Sequence, residues 1–229
     1  MHKVFNFIED KAINIPLTEN RGFLYGDGFF ETIIIKNNIP LFLKDHYKRM
    51  SFAANQLQLS PFPSFQQFEP KLISFLSGKH TNARLKIIVF RNTGGLYTPN
   101  NNTPLFYIEE KKTAPTITQE KSAFFCTSTR NRQTFTSSFK TLSSLNYILA
   151  GLELENSKHD ELIILDHDKH ISECLSSNIW WIKENTIYTP SEVTGCIEGV
   201  SKKNILRYLD KKNIKVKIGK FTSEHLLMA

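Results

Sequence analysis

The sequence predicts an α+β protein of two domains, each a mostly antiparallel or mixed sheet with a few helices. Three observations carry that expectation. Short β-branched and aromatic runs recur along the 229 residues, which reads as strands. Stripes at helical spacing interrupt them in both halves,. Near the middle, Lys111-Lys112-Thr113-Ala114-Pro115 has the composition of a linker. The expected division is a small N-terminal domain over 1–112, a linker over 113–118 and a larger C-terminal domain over 119–229.

In the first half, Val4-Phe5-Asn6-Phe7-Ile8 is a strand that leads to a bend near Pro16. Phe29 to Ile35 and Ile39 to Leu43 flank Lys36-Asn37-Asn38, and two apolar runs around an Asn-Asn turn predict a hairpin,. Over 44–59 the period changes. Tyr47, Met50, Ala54 and Leu57 fall on one face of a helix,. Ser60-Pro61-Phe62-Pro63-Ser64 stops that helix and caps a second, striped by Phe65, Phe68, Leu72 and Leu76 and ending at Ser77-Gly78,. Pro70 predicts that it starts late or kinks,. Ala83 to Arg91 and Leu105 to Glu110 are partner strands around a long, turn-rich loop, and loops of that length are often functional.

In the second half, Ser122 to Thr129 is a strand, followed by a polar stretch to Phe139. Leu142, Leu145, Leu149 and Leu152 form a helical stripe,. Glu161 to Asp166 and His170 to Glu173 are strands around His167-Asp168-Lys169, and 178–183 pairs with 186–189 around Glu184-Asn185,. Ser201 to Leu209 is a helix, Ile214, Val216 and Ile218 alternate as a strand, and Thr222-Ser223-Glu224-His225 starts a last short helix,.

Composition excludes several classes. With 40% apolar and 22% charged residues the chain is not a disordered one,. No apolar run reaches the roughly 18–20 residues of a membrane span. The N-terminus soon meets Glu9 and Asp10 and has no signal-peptide core,. Cys126, Cys174 and Cys196 have no paired spacing, which predicts a reducing, cytoplasmic setting,. The formal charge of +7 comes from basic residues scattered singly or in pairs. They form a solvated surface rather than a nucleic-acid patch. The seven His are dispersed, so no metal site is expected,. Phosphate-loop, dinucleotide and nucleophile-elbow motifs are absent.

Three local features bear on chemistry. Lys140, in Ser137-Ser138-Phe139-Lys140-Thr141-Leu142, has apolar neighbours that can lower an amine's pKa and make it a nucleophile,; it equally reads as an exposed lysine at a helix start. Glu173, in Ile171-Ser172-Glu173-Cys174-Leu175-Ser176-Ser177-Asn178, can pair with a pyridinium nitrogen, or face water at a strand end,. Gly195 to Lys202 puts small residues and unpaired amides at a helix start, which is a phosphate site or an ordinary capped loop,.

Taken in order, these features join two others: Tyr25-Gly26-Asp27-Gly28-Phe29-Phe30-Glu31-Thr32 and Leu43-Lys44-Asp45-His46-Tyr47-Lys48-Arg49-Met50. With Lys140, Glu173…Asn178-Ile179-Trp180 and Gly199-Val200-Ser201-Lys202, the series resembles the class IV aminotransferases, the fold-type IV pyridoxal 5'-phosphate enzymes. The resemblance covers about residues 1–228. It implies the two-domain fold-type IV architecture, pyridoxal phosphate as cofactor, a site between the domains and a homodimer. Lys140 matches the Schiff-base lysine and Glu173 the carboxylate on the pyridine nitrogen. Asn178 closes that motif. Arg49 matches the arginine on the phosphate, Val200 and Ser201 the helix-start phosphate cup, and Arg91 a position that holds the substrate carboxylate in some members.

The Gly-Asp-Gly-Phe-Phe-Glu-Thr wording looks most like the 4-amino-4-deoxychorismate lyases, which release 4-aminobenzoate and pyruvate. A small anionic, amino-substituted substrate is therefore expected. The alternatives are an aminotransferase of D- or branched-chain amino acids, or a non-catalytic binding protein of the same fold. Two departures stand out. Lyase-like members tend to carry Asn three residues after the lysine, where this chain has Ser143, with Asn146 further on. Members also usually continue past a segment like Glu224 to Ala229, so the C-terminal part reads as shortened.

Overall fold

The computed structural model describes residues 4–7, 11–76, 82–113 and 119–229, with side chains from residue 7 onward. The chain divides into two compact units. Unit 1 comprises Met1–Ile117 and Phe139–Ser143; unit 2 comprises Thr118–Ser138 and Ser144–Ala229. The division by sequence assigned 139–143 to the C-terminal domain. The structure places this Lys140-bearing segment with the first unit, because its main chain pairs with a strand there. Of the expected linker, 114–118 lies outside the described residues, as do Ile8 and Ser77-Gly78.

The first unit contains, in order, β1 (Val4–Asn6), β2 (Lys11–Ile13), α1 (Arg21–Tyr25), β3 (Gly28–Lys36), β4 (Ile39–Pro40), α2 (Leu43–Gln56), α3 (Phe65–Leu76), β5 (Asn82–Arg91) and β6 (Pro104–Lys112). Its strands form one antiparallel sheet in the order β2-β1-β6-β5-β3-β4. The β3–β4 turn is the expected Asn-Asn turn. Asn37 and Asn38 both have positive φ, 51° and 63°, as a two-residue hairpin turn requires. Only Ile39–Pro40 continue as a strand, since helix α2 already begins at Leu43. Ser64 and Gln67 cap α3 reciprocally: the Gln67 amide donates to Ser64 Oγ at 3.3 Å and the Ser64 amide to Gln67 Oε1 at 2.9 Å,. The helix runs on through Pro70, which is exposed, so the carbonyl it leaves unpaired has water to meet,.

Alternation along β3 and β5 builds a two-faced sheet. Phe29, Ile33 and Ile35 with Ala83, Leu85, Ile87 and Val89 point to a buried core, closed by Met50, Ala53 and Ala54 of α2 and Phe68 and Leu72 of α3,. The intervening residues from Phe30 outward are all at least partly exposed. One acid, Glu31, falls on the apolar face and is 1% exposed.

The second unit contains β7 (Ala123–Phe125), α4 (Leu145–Glu155), β8 (Glu161–Leu165), β9 (Ile171–Cys174), β10 (Trp181–Lys183), β11 (Thr186–Pro190), α5 (Val200–Lys211), β12 (Val216–Gly219) and α6 (Ser223–Leu227). Two three-stranded mixed sheets result, β7-β8-β9 and β10-β11-β12. β8 is buried on both faces. Ile163 and Leu165 pack with Ile171, Trp181 and Tyr188, and Leu162 and Ile164 with Cys126 and Ala150. The leucine stripe on α4 is not its core face: Ala150 is buried, while Leu145, Ile148, Leu149 and Leu152 are exposed. All three cysteines are free and buried. No helix among the described residues is long and apolar enough to cross a membrane.

Candidate active site

Lys140 sits in the segment that joins the first unit. The Phe30 amide donates to the Lys140 carbonyl at 2.8 Å, the Leu142 amide donates to Gly28 at 3.0 Å, and Phe29 and Thr141 form an antiparallel bridge. Gly28 is required there. A Cβ on it would lie 2.2 Å from the Val89 carbonyl oxygen and 2.9 Å from the Leu142 side chain,. Phe139 is buried in the first unit's core, which anchors the residue before the lysine. The half-buried Lys140 side chain projects to the sheet's open face, with Nζ 5.5 Å from the centre of the Phe30 ring.

Arg49 stands on α2 one turn after His46, and both meet the buried acid of β3. Arg49 Nε lies 2.6 Å from Glu31 Oε1 and Nη2 lies 2.8 Å from Oε2. His46 Nδ1 approaches Oε2 at 2.7 Å, and because a carboxylate only accepts, the proton is on that nitrogen. Burial by itself would raise the Glu31 carboxyl, but the hydrogen bonds from His46 and Arg49 and their charges bring it below the usual range,.

Arg91 is at the end of β5 and 6% exposed. Its Nε donates to Asp27 Oδ2 at 2.9 Å, Nη1 to Asn102 Oδ1 at 2.6 Å and Nη2 to the Leu57 carbonyl at 2.5 Å. Asp27 Oδ2 also accepts from Arg21 Nε at 2.8 Å. Arg21 Nη1 in turn meets the carbonyls of Gly94, Gly95 and Leu96 at 3.0, 2.9 and 2.7 Å. Two buried guanidinium groups therefore share one aspartate and fold the 92–102 loop onto the sheet end.

In the second unit, Glu173 lies inside the fully buried strand β9 rather than at its end. Its Oε1 accepts from Tyr147 at 2.6 Å and from Asn131 Nδ2 at 3.1 Å, and Oε2 accepts from the Ile197 amide at 3.1 Å. Asn146 reaches the same group indirectly, through a 3.0 Å bond to Asn131 Oδ1. Burial and the Glu173 charge push the Tyr147 phenol upward, so it stays a donor,. Asn178 Nδ2 donates to the Ile197 carbonyl at 2.9 Å. Its Oδ1 fills the space a side chain at position 199 would need: a Cβ on Gly199 would stand 1.9 Å away. That fixes the loop from Ile197 into α5, whose first residues are Val200 and Ser201. The opening amides of a helix have no partner within it and attract anions.

Each unit by itself carries groups of the kind pyridoxal phosphate needs. In the second, the buried Glu173 carboxylate, ordered by three donors, is the type of group that suits a protonated ring nitrogen,, and the start of α5 has the amides that attract a phosphate,. In the first, Lys140 carries an amine,.

The structure thus gathers Lys140, Arg49 and Arg91 in the first unit, and Glu173, Asn178, Val200 and Ser201 in the second. Sequence reasoning missed the partners Glu31, His46, Arg21, Asn131 and Tyr147. An acid in the apolar alternation of β3, with His and Arg one turn apart on the next helix, was the available signal for the first two. Nothing local marks Asn131 or Tyr147. Asp166, Asp168 and His170 bring possible metal-ligand atoms within 4.8 Å of one another. Asp166 Oδ1, however, already accepts from the Asp168 and His170 amides at 2.9 and 2.7 Å, so the cluster reads as a turn,.

The family model for amino-transferase class IV matches residues 28–229. The aminodeoxychorismate lyase of Bacillus subtilis (strain 168) is 28% identical over 231 residues, an alignment that covers 97% of this chain and 78% of that protein. The fold is that of a 4-amino-4-deoxychorismate lyase from Pseudomonas aeruginosa, at 22% identity and a TM-score of 0.84 over 99% of this chain and 83% of that one. It is equally that of the branched-chain amino acid aminotransferase from Escherichia coli, at 18% identity and 0.85 over 100% and 79%.

Proposed function

The chain belongs to the class IV amino-transferase family of pyridoxal-phosphate enzymes, and from that premise we propose that it is a lyase converting 4-amino-4-deoxychorismate to 4-aminobenzoate and pyruvate. Pyridoxal phosphate, when bound, supplies an electron sink that acidifies the Cα–H of an amino-substituted substrate. The rest of the chemistry falls to this chain's residues. Lys140 Nζ would hold the cofactor and would move the Cα proton as general base. Glu173 would keep a proton on the ring nitrogen. Arg49, the Val200 and Ser201 amides and the Ser201 hydroxyl would hold the phosphate. Asn178 orients the loop that presents those amides.

The observation that carries the proposal is the docking of 139–143 on β3, which puts the Lys140 amine on the open sheet face beside Phe30. Arg91 enters indirectly. Its three nitrogens are bonded inside the first unit, so it holds the Asp27 turn and the 92–102 loop, and a substrate carboxylate calls for another cation. The similarity to the Bacillus subtilis lyase supports this reaction over the alternative. The fold shared with a branched-chain aminotransferase keeps a transaminase of D- or branched-chain amino acids as the second reading. A homodimer belongs to the same proposal, supported by the exposed apolar stripe of α4 at Leu145, Ile148, Leu149 and Leu152,.

Incubation with 4-amino-4-deoxychorismate, and separately with D- and L-amino acids plus 2-oxoglutarate, decides the reaction. Release of aminobenzoate and pyruvate supports the lyase. New amino acid without aminobenzoate replaces it with the transaminase.

A further inference from the structure

The net charge of the protein is unevenly placed. Val200 to Lys220 holds eight of the 29 basic residues and one of the 22 acids, a local charge of +7. The other 208 residues carry 21 of each and balance. The whole formal charge therefore belongs to α5, β12 and the residues that join and follow them, all within the second unit. The lysines stand singly or in pairs; what marks the segment is the lack of acids between them.

Two of the eight are occupied inside the fold. Lys202 is buried and donates to the Pro190 carbonyl, and Lys220 lies 3.6 Å from Asp168 Oδ2. The other six are exposed. Lys203, Arg207 and Lys211 follow at steps of four along α5, and Ile205, Tyr208 and Lys212 form the next row,. Asn213, at a φ of 56°, then turns the chain into β12, an edge strand. Lys211, Lys212, Lys215 and Lys217 flank that turn, and among the described residues no carboxylate lies within ion-pair distance of them. Apolar side chains are exposed beside them: Ile205 is 42%, Tyr208 59%, Ile214 43% and Ile218 49% exposed. Ordinary structural roles cover part of this pattern. Cations at a helix C-terminus are favourable, which accounts for Lys211 and Lys212, and lysines on an edge strand deter strand pairing. Neither role accounts for Lys203 in the first turn of α5, or for isoleucines left in water among the charges.

We propose that the α5–β12 turn docks reversibly on a bilayer surface that carries anionic phospholipid. Each basic residue next to such a surface contributes roughly fivefold to binding, and Ile214 with its apolar neighbours enters the headgroup boundary. The composition separates this partner from other polyanions. Nucleic acid is gripped by arginine forks and stacked aromatics, and this segment has one exposed arginine and one aromatic residue, Tyr208. Protein interfaces are depleted in lysine, which supplies five of the six exposed cations here. The docking is independent of the proposed reaction and requires no bound cofactor.

Co-sedimentation of the full chain with vesicles tests it, using phosphatidylcholine alone and phosphatidylcholine mixed with phosphatidylglycerol. Binding is expected to the mixed vesicles only, and it should fall steeply with added salt. Lys212→Gln, Lys215→Gln and Lys217→Gln combined should weaken it by about a hundredfold. Ile214→Ser should weaken it less and leave the salt dependence as it is. Lys44→Gln, Lys48→Gln and Lys158→Gln combined remove the same charge elsewhere and should leave binding near that of the wild type. Equal loss in the two triple variants overturns the proposal, as do absence of binding to the mixed vesicles and equal binding to the neutral ones. Retention by a duplex DNA fragment or by polyglutamate, with none by the vesicles, also overturns it and transfers the surface to nucleic acid or to an acidic protein. Thermal melting confirms that the comparison is between folded proteins.

Discussion

Arg49 and Glu31 form a two-pronged ion pair, Nε to Oε1 at 2.6 Å and Nη2 to Oε2 at 2.8 Å, with the two side chains 9% and 2% exposed. The pair ties helix α2 to strand β3 and fixes the plane of the guanidinium. His46 completes it from one turn earlier on the same helix.

Glu31→Gln should therefore do more than lose one contact, since it leaves the Arg49 charge buried without its counter-ion. Breaking a buried pair by removing one partner costs about 3 kcal/mol or more. Urea unfolding should show a clearly lowered midpoint at an unchanged slope, and cofactor affinity should fall because Arg49 is no longer held. An unchanged midpoint would mean the pair contributes nothing to the fold.

Gly199→Ala tests the loop that leads into α5. Its Cβ would stand 1.9 Å from Asn178 Oδ1, so Asn178 must give up its bond to the Ile197 carbonyl or the helix start must shift. Cofactor affinity should drop by about tenfold or more, with the first unit's stability untouched. Cutting Asn178 to Ala in the same chain should relieve the clash and recover part of the loss. Wild-type affinity in Gly199→Ala would separate this loop from the phosphate.

Acid should loosen the second unit through Glu153. Burial would raise this carboxyl, but hydrogen bonds from the Ser128 and Thr127 hydroxyls and amides outweigh it and lower it to about 2. A carboxyl lowered by folding adds stability that is complete above the ordinary glutamate value. That stability fades as pH falls toward 2. Between pH 5 and 2 the melting temperature should fall less steeply in Glu153→Gln than in wild type. Parallel curves would remove Glu153 from the account of acid sensitivity.

The same contacts show what local pattern conveys and what it omits. The hairpin at Asn37-Asn38 and the cap at Ser64 were readable because each is set by residues a few positions apart. The strand expected over 122–129 shrinks to Ala123–Phe125, because the Thr127 and Ser128 amides turn to the Glu153 carboxylate, at 2.9 and 2.8 Å from more than twenty residues away. Leu142 fits the period of the α4 stripe yet lies outside the helix, since its amide is bound to Gly28 across the chain. Of the candidate site, Lys140, Glu173 and the α5 start stand out as a motif series. Asn131 and Tyr147, which hold Glu173, and Arg21, which holds the Asp27 turn and the 94–96 carbonyls, act through distant contacts that no spacing records. Arg91 was legible as a cation but not as one bonded on every nitrogen.

Arg21→Ala should release the 92–102 loop, whose Gly94, Gly95 and Leu96 carbonyls converge on one nitrogen of that side chain. Amide exchange over 94–97 should accelerate, and limited proteolysis should cut there first. Arg21→Lys should fail to rescue, because an ammonium cannot also reproduce the fork toward Asp27. Unaltered exchange in both variants would show that the loop is held by other means.

The central claim is that Lys140 carries the cofactor. Borohydride reduction of the purified, cofactor-loaded protein, followed by digestion and mass mapping, tests it most directly. The account predicts a phosphopyridoxyl mass on the Lys140 peptide, with loss of the visible absorbance, and no such mass in Lys140→Ala. A modification confined to another lysine, or no fixed cofactor at all, would contradict it.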